Sequence, residues 1–187
     1  MVTGSALAAV LAIGACSGAE DGAAGADSGA IEMAEPTEQS GSTPSDGSAG
    51  EVPQEYEGVI AAIATAEEDA GGEAFELDDG DGGTWEVHVA VGADDIEVLV
   101  SADGSEVLES DREADLGSTD AAGLDATAIT LSDALRLAIT EYGGTEAIDD
   151  AGISDEGGGE YAWEVAFMDD VEVYLTMDGE ILRVETD

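Results

Sequence analysis

Trp85-Glu86-Val87-His88-Val89, then Asp94-Asp95-Ile96-Glu97-Val98-Leu99-Val100, then Asp103-Gly104, then Val107-Leu108: this series decides the fold, because the chain repeats it. The second series is Trp163-Glu164-Val165-Ala166-Phe167, Asp169-Asp170-Val171-Glu172-Val173-Tyr174-Leu175, Asp178-Gly179 and Ile181-Leu182. Each copy follows a helical pattern that ends in Gly-Gly, at Gly71-Gly72 and at Gly143-Gly144. Self-similarity on this scale marks one supersecondary unit used twice.

The strand segments alternate with period two. Trp85, Val87 and Val89 stand on one face and Glu86 and His88 on the other; Trp163, Val165 and Phe167 oppose Glu164 and Ala166. One apolar and one acidic face mean an antiparallel sheet buried on one side. Asp103-Gly104 and Asp178-Gly179 signal hairpin turns, and the Asp94-Asp95 and Asp169-Asp170 pairs read as turn residues between the central strands. Shorter strands are expected at 74–77, 107–110, 147–153 and 181–185. Val59, Ile60, Ala62, Ile63 and Ala66 give the first helix. Leu131, Ala134, Leu135, Ala138, Ile139 and Tyr142 give the second, with Thr130 as its N-cap and Gly143 as its terminator. The expected class is α+β: two repeats, each a helix packed on an antiparallel sheet, at 56–111 and 128–187, joined by a small polar linker at 112–127. The pattern leaves open whether the copies share one sheet or form two beads.

Charge is the second large fact. The 187 residues hold 46 acids and three basic side chains, Arg112, Arg136 and Arg183, for a net charge of -43. Such a surface repels nucleic acid and anionic lipid and favours cations and basic partners. Residues 6–15 form an apolar run too short to span a bilayer and suited to a secretory signal. Ile13-Gly14-Ala15-Cys16 resembles the lipobox of bacterial lipoproteins, although no Lys or Arg precedes the apolar run. That resemblance implies cleavage after residue 15, a lipid on Cys16 and an extracytoplasmic module anchored to the cell membrane. The other reading is a plain secretory signal with an incidental Cys. Cys16 is the sole cysteine, so no disulfide forms within the chain. Residues 17–55, with nine acids and no base, read as a disordered acidic tether.

The order of helix, Gly-Gly, Trp-Glu-Val strand, acidic turn, second strand, Asp-Gly and short last strand resembles the PepSY domain. The most specific pieces are Thr130-Leu131-Ser132-Asp133-Ala134, Tyr142-Gly143-Gly144 and Tyr174-Leu175-Thr176-Met177-Asp178-Gly179-Glu180-Ile181-Leu182-Arg183-Val184. Gly58 stands where Thr130 caps the second copy. The resemblance implies a non-catalytic binding module of the bacterial envelope, of a kind thought to inhibit or chaperone peptidases.

The residues themselves name few chemical candidates. One histidine, His88, excludes a Ser-His-Asp site and a multi-His metal site within the chain. Opposite Trp85, it reads as a solvated or partner-facing side chain before it reads as a ligand. Asp78, Asp79 and Asp81, among glycines, suit a hard cation such as calcium, or simply make an acidic turn. Asp94, Asp95, Asp169 and Asp170 are candidates for partner contact. Trp85 and Trp163 read as core residues before ligand-stacking ones. No residue set singles out an active site, so no enzyme activity and no resident cofactor are expected. Two functions remain: an interaction module for an envelope or secreted protein such as a peptidase; or an acidic protein whose charge itself binds calcium or solvates the cell surface.

Self-repulsion of this charge opposes compaction and is screened by salt. The thermal midpoint is therefore expected to rise as NaCl goes from about 50 mM to about 1 M; a calorimetric series with a flat midpoint would refute it.

Overall fold

The computed structural model describes residues 52–186. The lipobox with Cys16 and the tether over residues 17–51 lie outside the described residues. The chain runs α1 (Glu57–Ala70), β1 (Glu73–Gly80), β2 (Thr84–Val91), β3 (Asp94–Val100), β4 (Val107–Asp115), α2 (Ser118–Ala126), α3 (Leu131–Tyr142), β5 (Ile148–Gly157), β6 (Glu160–Phe167), β7 (Val171–Thr176) and β8 (Ile181–Thr186). Both repeats belong to one eight-stranded sheet of order β4-β3-β2-β1-β5-β6-β7-β8, antiparallel throughout. Each repeat is a four-stranded meander, and the two meet at β1 and β5. Glu76 pairs with Gly152, Leu77 with Ala151 and Asp78 with Asp150 across that seam.

The apolar halves of the period-two patterns make one core. Leu77, Val87, Val89, Val98 and Val100 from the first repeat join Ala151, Trp163, Val165, Phe167, Val173 and Leu175 from the second. Val59, Ala62, Ile63 and Ala66 of α1 and Leu131, Ala134, Leu135, Ala138 and Ile139 of α3 cover it. Thr130 Oγ1 accepts from the Asp133 amide at 3.2 Å, and Gly71 and Gly143 end their helices at φ 76° and 63°. Phe167 knits the repeats together. Its ring stacks on Tyr142 at 3.9 Å and meets Tyr56 edge-on at 6.4 Å, while the Tyr56 hydroxyl donates to the Glu146 carbonyl at 2.7 Å.

Four expectations are corrected. The tether does not reach residue 55: Val52 packs against the core and Gln54–Tyr56 forms a 3-10 turn. The first repeat does not end at 111, since β4 continues to Asp115. Its later residues are charged because an edge strand has little to bury, and charge there discourages pairing with another chain. The 112–127 linker also holds a helix, α2, which lies on β5 and β6 with Gly123 so close to Ile153 that a Cβ would meet its Cγ2 at 2.5 Å. Finally, the β2–β3 turn falls at Gly92-Ala93, so Asp94 and Asp95 open β3. The two tryptophans also differ. Trp163 is fully buried and donates to Thr127 Oγ1 at 3.1 Å, whereas Trp85 packs at the margin and donates to the Ala102 carbonyl at 3.3 Å.

The odd Gly58 has a packing reason. α1 begins a residue before it, and the β3–β4 turn lies against its first turn, so a Cβ on Gly58 would meet the Ala102 oxygen at 2.6 Å. Gly58→Ala is expected to destabilise the fold by about 1–3 kcal/mol despite alanine's better helix propensity. A urea midpoint equal to or above wild type would contradict that packing.

Candidate functional site: the acidic face of the sheet

The polar halves of the same strand patterns converge on the second face. From the first repeat come Glu76 and Asp78 of β1, Glu86 and His88 of β2, and Asp95, Glu97 and Leu99 of β3, all half-buried. The second repeat adds Asp150 and Gly152 of β5, Glu164 of β6 and Glu172 and Tyr174 of β7. The seam pairing sets Asp78 directly opposite Asp150 and Glu76 opposite Gly152. Gly152 has no side chain to fill its place. A shallow depression of about 160 Å³ forms there, lined by Glu76, Asp150, Ala151, Gly152, Ile153 and Glu164.

Crowding like charges at a half-buried seam makes ionisation costly. Burial, then Asp149 and Asp78, push the Asp150 carboxyl up to about 6. Burial raises Glu76 and Asp78 as well, although His88 pulls both back. His88 is buried enough to disfavour its cation, but its bond to Asp95 and the nearby carboxylates outweigh that and raise it. Its Nδ1 lies 3.1 and 3.2 Å from the two Asp95 carboxylate oxygens.

The two halves of this face differ in chemistry. In the second repeat Arg183 pairs with Glu156 at 2.6 Å and Glu185 at 2.7 Å and lies 3.5 Å over the Tyr174 ring. The Tyr174 hydroxyl donates to Glu172 at 2.7 Å. In the first repeat Leu99 stands in the place of Tyr174, and His88 in the place of Ala166.

The candidates taken from the sequence are scattered by this geometry. Asp78 faces the seam, Asp79 pairs with Trp85 and points to the opposite face, and Asp81 sits in the β1–β2 turn. Asp94 accepts from Arg112 at 2.6 Å, Asp95 holds His88, and Asp169 accepts from the Tyr142 hydroxyl at 2.8 Å. Asp170 supplies the left-handed turn residue at φ 62°. The sequence pattern does not single out Glu76, Asp150 and Glu164. The alternation does mark Glu164 as outward, but the seam that joins it to Glu76 and Asp150 pairs strands far apart in the chain. No helix among the described residues is long and apolar enough to cross a membrane.

No protein-family model matches the sequence, and no curated protein sequence matches it. Among solved structures, the chain is similar to a candidate lipoprotein from Clostridium difficile, at 19% identity and a TM-score of 0.39, over 67% of this chain and 90% of that one. It is also similar to a BLIP-like protein from Bacteroides fragilis, at 17% identity and a TM-score of 0.24, over 67% and 83% of the two chains. A DUF2874 family protein from Bacteroides ovatus gives 14% and 0.23, over 67% and 84%.

The seam makes stability depend on pH. A carboxyl raised in the fold binds its proton more tightly there than in the unfolded chain. The stability that Asp150 contributes is therefore full below its ordinary 3.8 and is lost as pH climbs through about 6. Asp150→Asn removes the buried charge, so it is expected to raise the thermal midpoint near pH 7.5 by several degrees. That is the shift on the order of 1 kcal/mol would give, after discounting for partial exposure. Near pH 4 the variant and wild type should nearly coincide; a constant offset at both pH values would remove the titration argument.

Proposed function

We propose that the chain is a non-catalytic binding module of the bacterial envelope, held at the membrane by a lipid on Cys16, that docks a cationic surface of a partner protein onto the seam of its sheet. One observation carries this reading: Glu76, Asp78, Asp150 and Glu164 are gathered at the β1–β5 seam around the gap left by Gly152. Burial holds Glu76, Asp78 and Asp150 above their ordinary range, and carboxylates that resist ionisation gain most from an incoming positive charge. The depression has room for one long cationic side chain, and the flanking acids supply steering toward a basic partner. The likeness to PepSY domains in sequence pattern suggests a secreted or envelope peptidase as that partner.

The test captures partners from detergent-solubilised envelope with three baits. One is wild type. One carries Glu76→Gln, Asp78→Asn, Asp150→Asn and Glu164→Gln. The third carries Glu57→Gln, Glu68→Gln, Asp69→Asn and Glu141→Gln on the helical side, so that both variants lose the same charge. A discrete protein kept by the third bait and lost by the second is the expected result. Equal loss from both would mean that total charge, rather than the seam, holds the partner, and would overturn the proposal.

A further inference from the structure

We infer that the first repeat carries a binding site for one borderline divalent transition-metal ion, such as zinc or cobalt, formed by His88 Nε2 and the carboxylates of Glu86 and Glu97. The strand register builds it. Glu97 is the direct cross-strand neighbour of His88, and Glu86 lies two residues before His88 on the same face. One donor atom from each of the three lies within 4.8 Å of the other two, and Nε2 is 3.7 Å from Glu86 Oε1. Ligands on a tetrahedral ion with bonds of about 2.1 Å sit about 3.4 Å apart, so rotation of the two Glu side chains closes the remaining gap.

What sets this group apart from the surrounding acids is the imidazole and the way it is held. Asp95 takes the Nδ1–H with both carboxylate oxygens within reach, at 3.1 and 3.2 Å. In the neutral imidazole that bond puts the proton on Nδ1 and leaves the lone pair on Nε2, which lies 3.7 Å from Glu86 Oε1. A carboxylate behind a histidine is the usual way to orient and strengthen a metal-binding imidazole. The Phe75 ring, 6.0 Å from the imidazole and itself buried, restricts the ring's movement.

The second repeat provides an internal contrast. Glu164 and Glu172 occupy the places of Glu86 and Glu97, but Ala166 replaces the histidine and Tyr174 occupies one of the glutamates. Only the first repeat leaves two carboxylates facing an imidazole. One nitrogen and two oxygens suit zinc, cobalt or manganese, whereas calcium prefers an all-oxygen shell. The ion's two positive charges would balance the two glutamates. This inference stands apart from the docking reading, since it uses different residues and is tested with the metal alone.

His88 is the sole histidine in the chain, so its ring resonances identify themselves. The full chain, 15N-labelled, is titrated with zinc chloride at about pH 8 and about 0.2 M NaCl, where screening suppresses diffuse cation binding. The expected result is a saturable shift of Nε2 with Nδ1 still protonated, and His88→Gln weakening zinc binding at least about tenfold by calorimetry. Glu97→Gln should weaken it comparably while keeping the histidine signal as a check on the fold. Calcium at the same concentration should leave Nε2 in place. An unmoved Nε2 while zinc binds elsewhere, or equal zinc affinity in His88→Gln and wild type, would overturn the site.

Discussion

Everything in this molecule depends on the short pairing of β1 with β5. Three register pairs join the repeats, and the central one, Leu77 with Ala151, faces the core. A unit of one helix and four strands is too small to shield its own apolar face well. Fusing two units end to end gives one sheet and one continuous core, under α1 and α3 together. The same pairing forces Asp78 and Asp150 into register on the other face, where like charges directly opposite each other are unfavourable. The fold therefore sets hydrophobic gain on one face against Coulombic cost on the other. At the seam, burial first and then the neighbouring Asp149 and Asp78 hold the Asp150 carboxyl above its ordinary range.

The aromatic cluster at one end of the seam shows how the cost is met. Phe167 lies between Tyr142 of α3 and Tyr56, just ahead of α1. Phe167 and Tyr56 are buried, and burying large rings contributes several kcal/mol each. The Tyr56 hydroxyl ties the start of α1 to the loop before β5. Each repeat thus helps to hold the other, and the acidic face can stay crowded without parting the strands.

The sequence shows the parts of this architecture that are local. Period-two alternation in 85–89, 96–100, 163–167 and 171–175, the Gly-Gly helix ends and the Thr130 cap are short-range signals, and all appear in the structure. It is silent where the cause is distant or weak. β4 runs on through Glu109, Asp111 and Glu113, which carry no apolar pattern because an edge strand needs none. α2 is a helix of small residues with only Gly123 buried, so its spacing carries no stripe. The seam is a contact between residues 74 positions apart, by the difference between Leu77 and Ala151, and no periodicity encodes it. The His88 site lay nearer to view. The alternation places Glu86, His88 and Glu97 on one face, and a turn at Gly92-Ala93 pairs His88 with Glu97. Placing the turn at Asp94-Asp95 instead loses that register, and with it the role of Asp95.

The two repeats agree where folding demands it and differ where it does not. Val87, Val89 and Val98 have apolar counterparts in Val165, Phe167 and Val173, because each must fill the same layer beneath a helix. On the acidic face no such demand operates. There His88 answers to Ala166, Leu99 to Tyr174, and the Arg183 clamp on Glu156 and Glu185 marks the second repeat. Side chains on a half-exposed face can change at little cost to the core. The glutamates at 86, 97, 164 and 172 match between copies, yet what they touch does not: an imidazole in one, a phenol in the other. A duplicated fold of this kind carries its stability in what the copies share. Its chemistry sits in the few positions where they part, and in the seam that only the joined pair possesses.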